Sequence, residues 1–128
     1  MTFTNSRRAM LWLAAVPLLA APLAALAQNY PSKPVRLVVP FAPGGGVDIV
    51  ARLLAEKLRG LLGQNVTVEN RSGGSGMIGA IAAVKAPADG HTLLMASAGE
   101  IAINPHVFKA KMQYVPERDL APISLVVK

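Results

Sequence analysis

Twice in this chain a β-branched apolar run passes through a cluster of glycines into a stretch with helical periodicity. Residues 35–40 (VRLVVP) lead to Gly44-Gly45-Gly46 and then to residues 49–62. Residues 66–70 (VTVEN) lead to Arg71-Ser-Gly-Gly-Ser-Gly76 and then to the small-residue run 77–85, which Pro87 stops. A nearly unbroken apolar run suits a strand covered on both faces. In the first helical stretch Ile49, Val50, Leu53, Leu54, Leu58, Leu61 and Leu62 follow the helical period. Arg52, Glu56 and Arg59 fall on the other face, spaced for pairing along the helix. Asp48 is placed to cap the start, and Gly60 or Gly63 to end it.

Asp89-Gly90 signals a turn before a third strand at 91–96, and Ser97-Ala-Gly-Glu100 is a third short loop. Residues 101–108 read as a short helix near Pro105, 115–120 as a turn, and 121–127 as a fourth, apolar strand prone to associate at an open edge. Strands alternating with helices predict an α/β fold with a doubly wound parallel sheet and right-handed connections. Ligands of such sheets bind beyond the carboxyl ends of the strands. The polar loops at 44–48, 71–76 and 97–100 each follow a strand, so they are expected on one rim.

A glycine loop at a helix start leaves backbone N–H groups without intrahelical partners at the positive end of the helix dipole, a seat for an anion. The same glycines also serve as a tight turn. The second loop favours the seat, because two such loops grip one carboxylate from two sides, and Ser72 and Ser75 add hydroxyls. Ser75 is equally suited to cap its helix. Asp48 would repel an anion unless it turns toward its own backbone amides. Arg71 is placed to pair a carboxylate or to stand in solvent, and Glu100 to receive an amine or hydroxyl or to lie exposed.

Other chemistries find less support. Gly74-Ser-Gly-Met-Ile-Gly79 spells a dinucleotide fingerprint after the second strand, but the acid expected about twenty residues on is not clearly placed. His91 and His106 lack metal spacing, no serine sits in a nucleophile elbow, and cysteine is absent. No catalytic set, metal site or cofactor is therefore expected.

The chain opens on Arg7-Arg8, followed by an Ala/Leu-rich run with Pro17 and Pro22 that ends at Ala25-Leu-Ala27. Residues 1–27 are read as a secretory signal peptide cleaved after Ala27, so the protein is expected in the periplasm. Paired arginines fit either export route. The two arginines leave with the signal, so the net charge of +6 falls to +4 over the 101 residues from Gln28 to Lys128. That charge favours anions mildly. The remaining aromatics (Tyr30, Phe41, Phe108 and Tyr114) are not interleaved with basic runs, so no nucleic acid partner is expected.

Pro40-Phe-Ala-Pro-Gly-Gly-Gly-Val-Asp-Ile-Val-Ala-Arg52 resembles the first ligand loop of the tripartite tricarboxylate transporter substrate-binding receptors, the Bug family. Tyr30-Pro-Ser-Lys-Pro-Val-Arg36, Val68-Glu-Asn-Arg-Ser-Gly-Gly-Ser-Gly-Met-Ile-Gly79, Ala86-Pro-Ala-Asp-Gly-His-Thr-Leu-Leu94, Ile103-Asn-Pro105 and Asp119-Leu-Ala-Pro-Ile-Ser124 continue the resemblance in order. It implies a type II periplasmic binding protein of two α/β lobes joined by a hinge. Such a receptor binds a small organic acid in the cleft and hands it to membrane permease subunits. By motif match, Phe41, Ala42, Pro43, Gly44, Gly45, Gly46, Val47 and Asp48 would line the first-lobe side of the cleft. Ser72, Gly73, Gly74, Ser75, Gly76 and Met77 would join them, with Ser97, Ala98, Gly99 and Glu100. Val47 stands where the family usually carries Ser or Thr, which removes one hydroxyl donor. Family members are far longer, so residues 28–128 are expected to form only the first lobe, incompletely. One wall leaves the seat open to water and the binding weak. Two other readings are a periplasmic sensor for a signalling partner and a doubly wound cofactor-binding enzyme domain.

Overall fold

The computed structural model describes residues 29–127, so the signal peptide expected at 1–27 lies outside the described residues. Three parallel strands form one sheet: β1 (Val35–Val39), β2 (Val66–Asn70) and β3 (Thr92–Leu94), in the order β2-β1-β3. In register, Leu37 lies opposite Val68 on one side and Leu93 on the other. Helix α1 (Gly46–Leu62) joins β1 to β2, and α2 (Met77–Val84) joins β2 to β3. Beyond β3 come a π-helical turn (Gly99–Ile103), α3 (Asn104–Val107), a 3-10 turn (Lys109–Lys111) and α4 (Pro116–Asp119). No helix among the described residues is long and apolar enough to cross a membrane.

The central strand explains the layering. Val35, Leu37, Val38 and Val39 are all buried, as a strand covered on both faces requires. Val35, Leu37 and Val39 join Ala51, Ala55, Val66 and Met95 in a core that Val50, Leu54, Leu58 and Leu62 of α1 cover. The two buried alanines let α1 lie close to the sheet. On the other face α2 packs on β1 and β3. It crosses so close that a Cβ on Gly79 would come 2.7 Å from the Cα of Pro40 and 2.9 Å from the carbonyl oxygen of Arg71. Only glycine fits there.

Several expectations change at the ends of elements. Helix α1 starts at Gly46 with Gly45 as its N-cap, so Asp48 sits inside the first turn rather than capping it from outside. An acid there still suits the helix dipole. Gly63, with φ 64°, ends the helix, its N–H donating to the carbonyl of Arg59 at 3.1 Å. Arg52 pairs back to Asp48 instead of forward to Glu56. Ser75 is not the cap of α2; Gly76 takes that position with no side-chain bond. The predicted turn at 115–120 is the helical turn α4, and the short helix at 101–108 is split between the π-turn and α3. Residues 121–127 do not form a fourth strand: they carry no ladder and lie exposed, Ile123, Leu125 and Val127 included.

At the amino ends of the strands the lead-in is stapled to the turn before β3. Tyr30 donates its hydroxyl to the carbonyl of Gly90 at 2.7 Å, and its ring stands against His91 with centroids 5.1 Å apart. Lys33 meets Asp89 at 2.7 Å, and the His91 N–H donates to the same carboxylate at 3.0 Å. These two bonds, Lys33 first, hold the Asp89 pKa down to about 2. A carboxylate depressed in the folded state adds stability above its unfolded pKa, about 4, and loses it as pH falls through the folded value. Asp89→Asn is therefore expected to lower Tm modestly at pH 7 and to converge with the unsubstituted chain near pH 2. Thermal melts across that range test this, and a pH-independent gap would remove the staple from the acid response.

Candidate functional site

Because all three strands are parallel, their carboxyl ends share one edge of the sheet. The three loops that follow start side by side there. The Arg71 N–H donates to the carbonyl of Val39 at 2.8 Å, and the Met95 N–H to the carbonyl of Val38 at 2.9 Å. Asn70 at the end of β2 donates to the carbonyl of Phe41 at 3.1 Å, tying the first loop to the second strand. Asn104 donates to the carbonyl of Ser75 at 2.8 Å, tying the second loop to the segment behind the third.

The candidate residues sort by burial. Ala42, Pro43, Gly44, Gly45 and Gly46 of the first loop are exposed, as are Ser72, Gly73, Gly74 and Ser75 of the second and Ala98 of the third. Phe41 and Val47 are half-buried and pack on the apolar core, so position 47 supports the loop from beneath. Met77, Ser97 and Gly99 are half-buried; Asp48, Gly76 and Glu100 are buried. Beneath the rim the N–H groups of Gly46, Val47 and Asp48, the first in α1, have no protein acceptor among the described residues.

Asp48 is 2% exposed and is satisfied from three sides. Its Oδ2 accepts from the Gly44 N–H at 2.9 Å and from Arg52 Nε at 2.9 Å, and its Oδ1 accepts from Asn70 Nδ2 at 2.8 Å. These bonds, Arg52 first, hold its carboxyl far below the usual carboxylate range, although burial pushes the other way. The charge that would repel an anion is thus turned inward and matched by Arg52.

Glu100 is not exposed. It is 1% exposed, and its Oε2 accepts from both the N–H and the Oγ of Ser97, each at 2.8 Å. Ser97 Oγ in turn accepts from the Gly99 N–H at 3.1 Å. The third loop therefore spends these donors on itself. Tyr114 donates to the main-chain carbonyl of Glu100 at 2.9 Å. Burial first, then the nearby Glu100 charge, pushes the Tyr114 phenol up, and the Asn104 amide pulls the other way. Arg71 pairs with Glu69 of β2, the strand it follows. His91 is buried at the opposite end of the sheet, and His106 is exposed.

Three residues of this framework escaped the sequence reading, Asn70, Asn104 and Tyr114, as did the partner that Arg52 takes. Asp48 and Arg52 are four apart on one helix, a spacing the sequence does offer. The other three act across long sequence separations and leave no local pattern. Among the described residues no group of three His, Asp or Glu is placed to hold a metal. The rim offers backbone amides and hydroxyls, which suits recognition of an anion.

A family model described as tripartite tricarboxylate transporter family receptor matches residues 50–128. The protein BugT of Bordetella pertussis is 42% identical over 108 residues, covering 84% of this chain and 32% of BugT. Among solved structures, MatC from Rhodopseudomonas palustris with bound malate aligns at 37% identity and a TM-score of 0.72, over 76% of this chain and 33% of MatC. A structure of a periplasmic transporter aligns at 46% identity and a TM-score of 0.66, over 68% of this chain and 29% of that one. The chain spans about a third of the length of the curated relatives it matches, 28% to 35% for the first three.

Proposed function

This chain belongs to the tripartite tricarboxylate transporter family of receptors, and on that premise we propose that its rim is one wall of a cleft for a small organic carboxylate. The family is one of transport receptors rather than enzymes, and the rim needs no reacting group. The observation that carries the reading is the first loop: an exposed glycine triplet that runs into α1, whose first three N–H groups have no protein acceptor among the described residues. A carboxylate fits such donors by charge and by its paired oxygens. Ser72 and Ser75, exposed on the adjoining loop, supply hydroxyls from a second side. The malate bound by MatC supports a carboxylic acid of this size. In this reading the receptor works in the periplasm, where it passes its ligand to membrane permease subunits.

The 128-residue chain offers its ligand one rim facing solvent, so binding in the millimolar range, about −4 kcal/mol, is expected. Amide NMR of the isotopically labelled chain tests this by titration with malate. Saturable shifts should appear at Gly44 to Asp48 and at Ser72 to Met77. The neutral dimethyl ester of malate should leave those amides in place. A rim that ignores malate at tens of millimolar, or answers acid and ester alike, would refute the carboxylate reading.

A further inference from the structure

Arg52 stands out because one exposed side chain ties a buried carboxylate to the loop ahead of it. Its side chain is 54% exposed, although the Asp48 carboxylate it pairs with is 2% exposed and would be left as a buried charge without it. Its guanidinium is engaged twice, donating from Nε to Asp48 Oδ2 at 2.9 Å and from a terminal nitrogen to Asn70 Oδ1 at 3.2 Å. That second bond fixes which way the Asn70 amide faces. Its Nδ2 is then free to donate to Asp48 Oδ1 at 2.8 Å and to the carbonyl of Phe41 at 3.1 Å. Asp48 completes the circuit by accepting from the Gly44 N–H at 2.9 Å. One guanidinium thus orders both ends of the first loop.

We propose that Arg52 is the positioning residue of the carboxylate seat: it cancels the Asp48 charge beside the bound anion and, through Asn70, sets the amides of the first loop. This rests on the carboxylate-receptor reading. Its logic is electrostatic. A buried anion in the first turn of α1 competes with a ligand anion for the same helix end. Paired to Arg52, that turn becomes neutral overall and its N–H groups remain available. Lysine keeps the charge but lacks the planar fork that reaches Asp48 and Asn70 together.

The test is malate titration followed by amide NMR on the 128-residue chain and three variants. Arg52→Gln should weaken malate binding about tenfold, with Tm lowered because the buried Asp48 charge loses its cation, and with the binding deficit shrinking as salt is raised. Arg52→Lys should lose about threefold. Adding Asp48→Asn to Arg52→Gln should recover part of the loss, because it removes the unmatched charge; a purely structural role predicts a further loss. Without ligand, the Gly44 amide should exchange about tenfold faster in Arg52→Gln than in the unsubstituted chain. If the unsubstituted rim responds to malate and Arg52→Gln responds equally well, the role of Arg52 is overturned alone. If the double variant binds more weakly than Arg52→Gln, the electrostatic logic is overturned. If the unsubstituted rim ignores malate, the carboxylate reading falls and takes this role with it.

Discussion

Gly76→Ala is expected to be among the most damaging single-methyl additions this chain can receive. Gly76 is buried with φ at +84°, a conformation that costs an L-residue about 1 kcal/mol or more. The added Cβ would also run into Glu100 Oε1 and stand 2.7 Å from its Cδ. A flexible side chain would swing aside, but this one is 1% exposed and tied to Ser97 by two hydrogen bonds. Moving it breaks those bonds inside a packed region, so overpacking adds about 1–3 kcal/mol. Together these give about 3 kcal/mol, or a fall in Tm of roughly 15 °C for a domain this small. Thermal denaturation followed by circular dichroism measures it. A fall of less than about 3 °C would mean that Glu100 does not sit beneath Gly76.

The two strand–loop–helix units were legible in the sequence because period and punctuation agree there. A β-branched run, a glycine cluster and an amphipathic stretch each have a local cause, and the structure places β1, α1, β2 and α2 within a few residues of the expected bounds. The shared rim was legible too, since parallel strands force their following loops to one edge. Residues 121–127 show where local pattern fails. Their composition suits a strand, but a strand exists only as part of a ladder, and no described segment pairs with them. The support beneath the rim was illegible for a similar reason. Asn70 reaches Phe41 across 29 positions, and Asn104 reaches Ser75 across another 29. Neither separation leaves a periodic mark.

Glu100 is the sharpest case. A lone acid in a polar loop reads as exposed, because carboxylates are seldom fully buried without partners. Its burial follows from Ser97, three residues earlier, and from Gly76, whose missing side chain leaves the space that Glu100 fills. The same fact reverses its role. A carboxylate facing the rim would set ligand preference, whereas one packed beneath it holds the third loop in shape.

Glu100→Ala separates these roles and is expected to cost about 3 kcal/mol, because it strands two Ser97 donors and opens a cavity. Glu100→Gln keeps an oxygen acceptor in nearly the same volume and should cost about 1 kcal/mol. The decisive measurement is a double-mutant cycle with Gly76→Ala. Once residue 100 is alanine, the methyl at position 76 meets open space. Gly76→Ala should then cost only its backbone term, about 1 kcal/mol, for a coupling of about 2 kcal/mol. Additive costs would show that the two residues do not share this space, and that position 76 requires glycine for its backbone conformation alone. A coupling of the expected size would instead bind the second and third loops into one unit, so that a change beneath either loop reshapes the rim that both present.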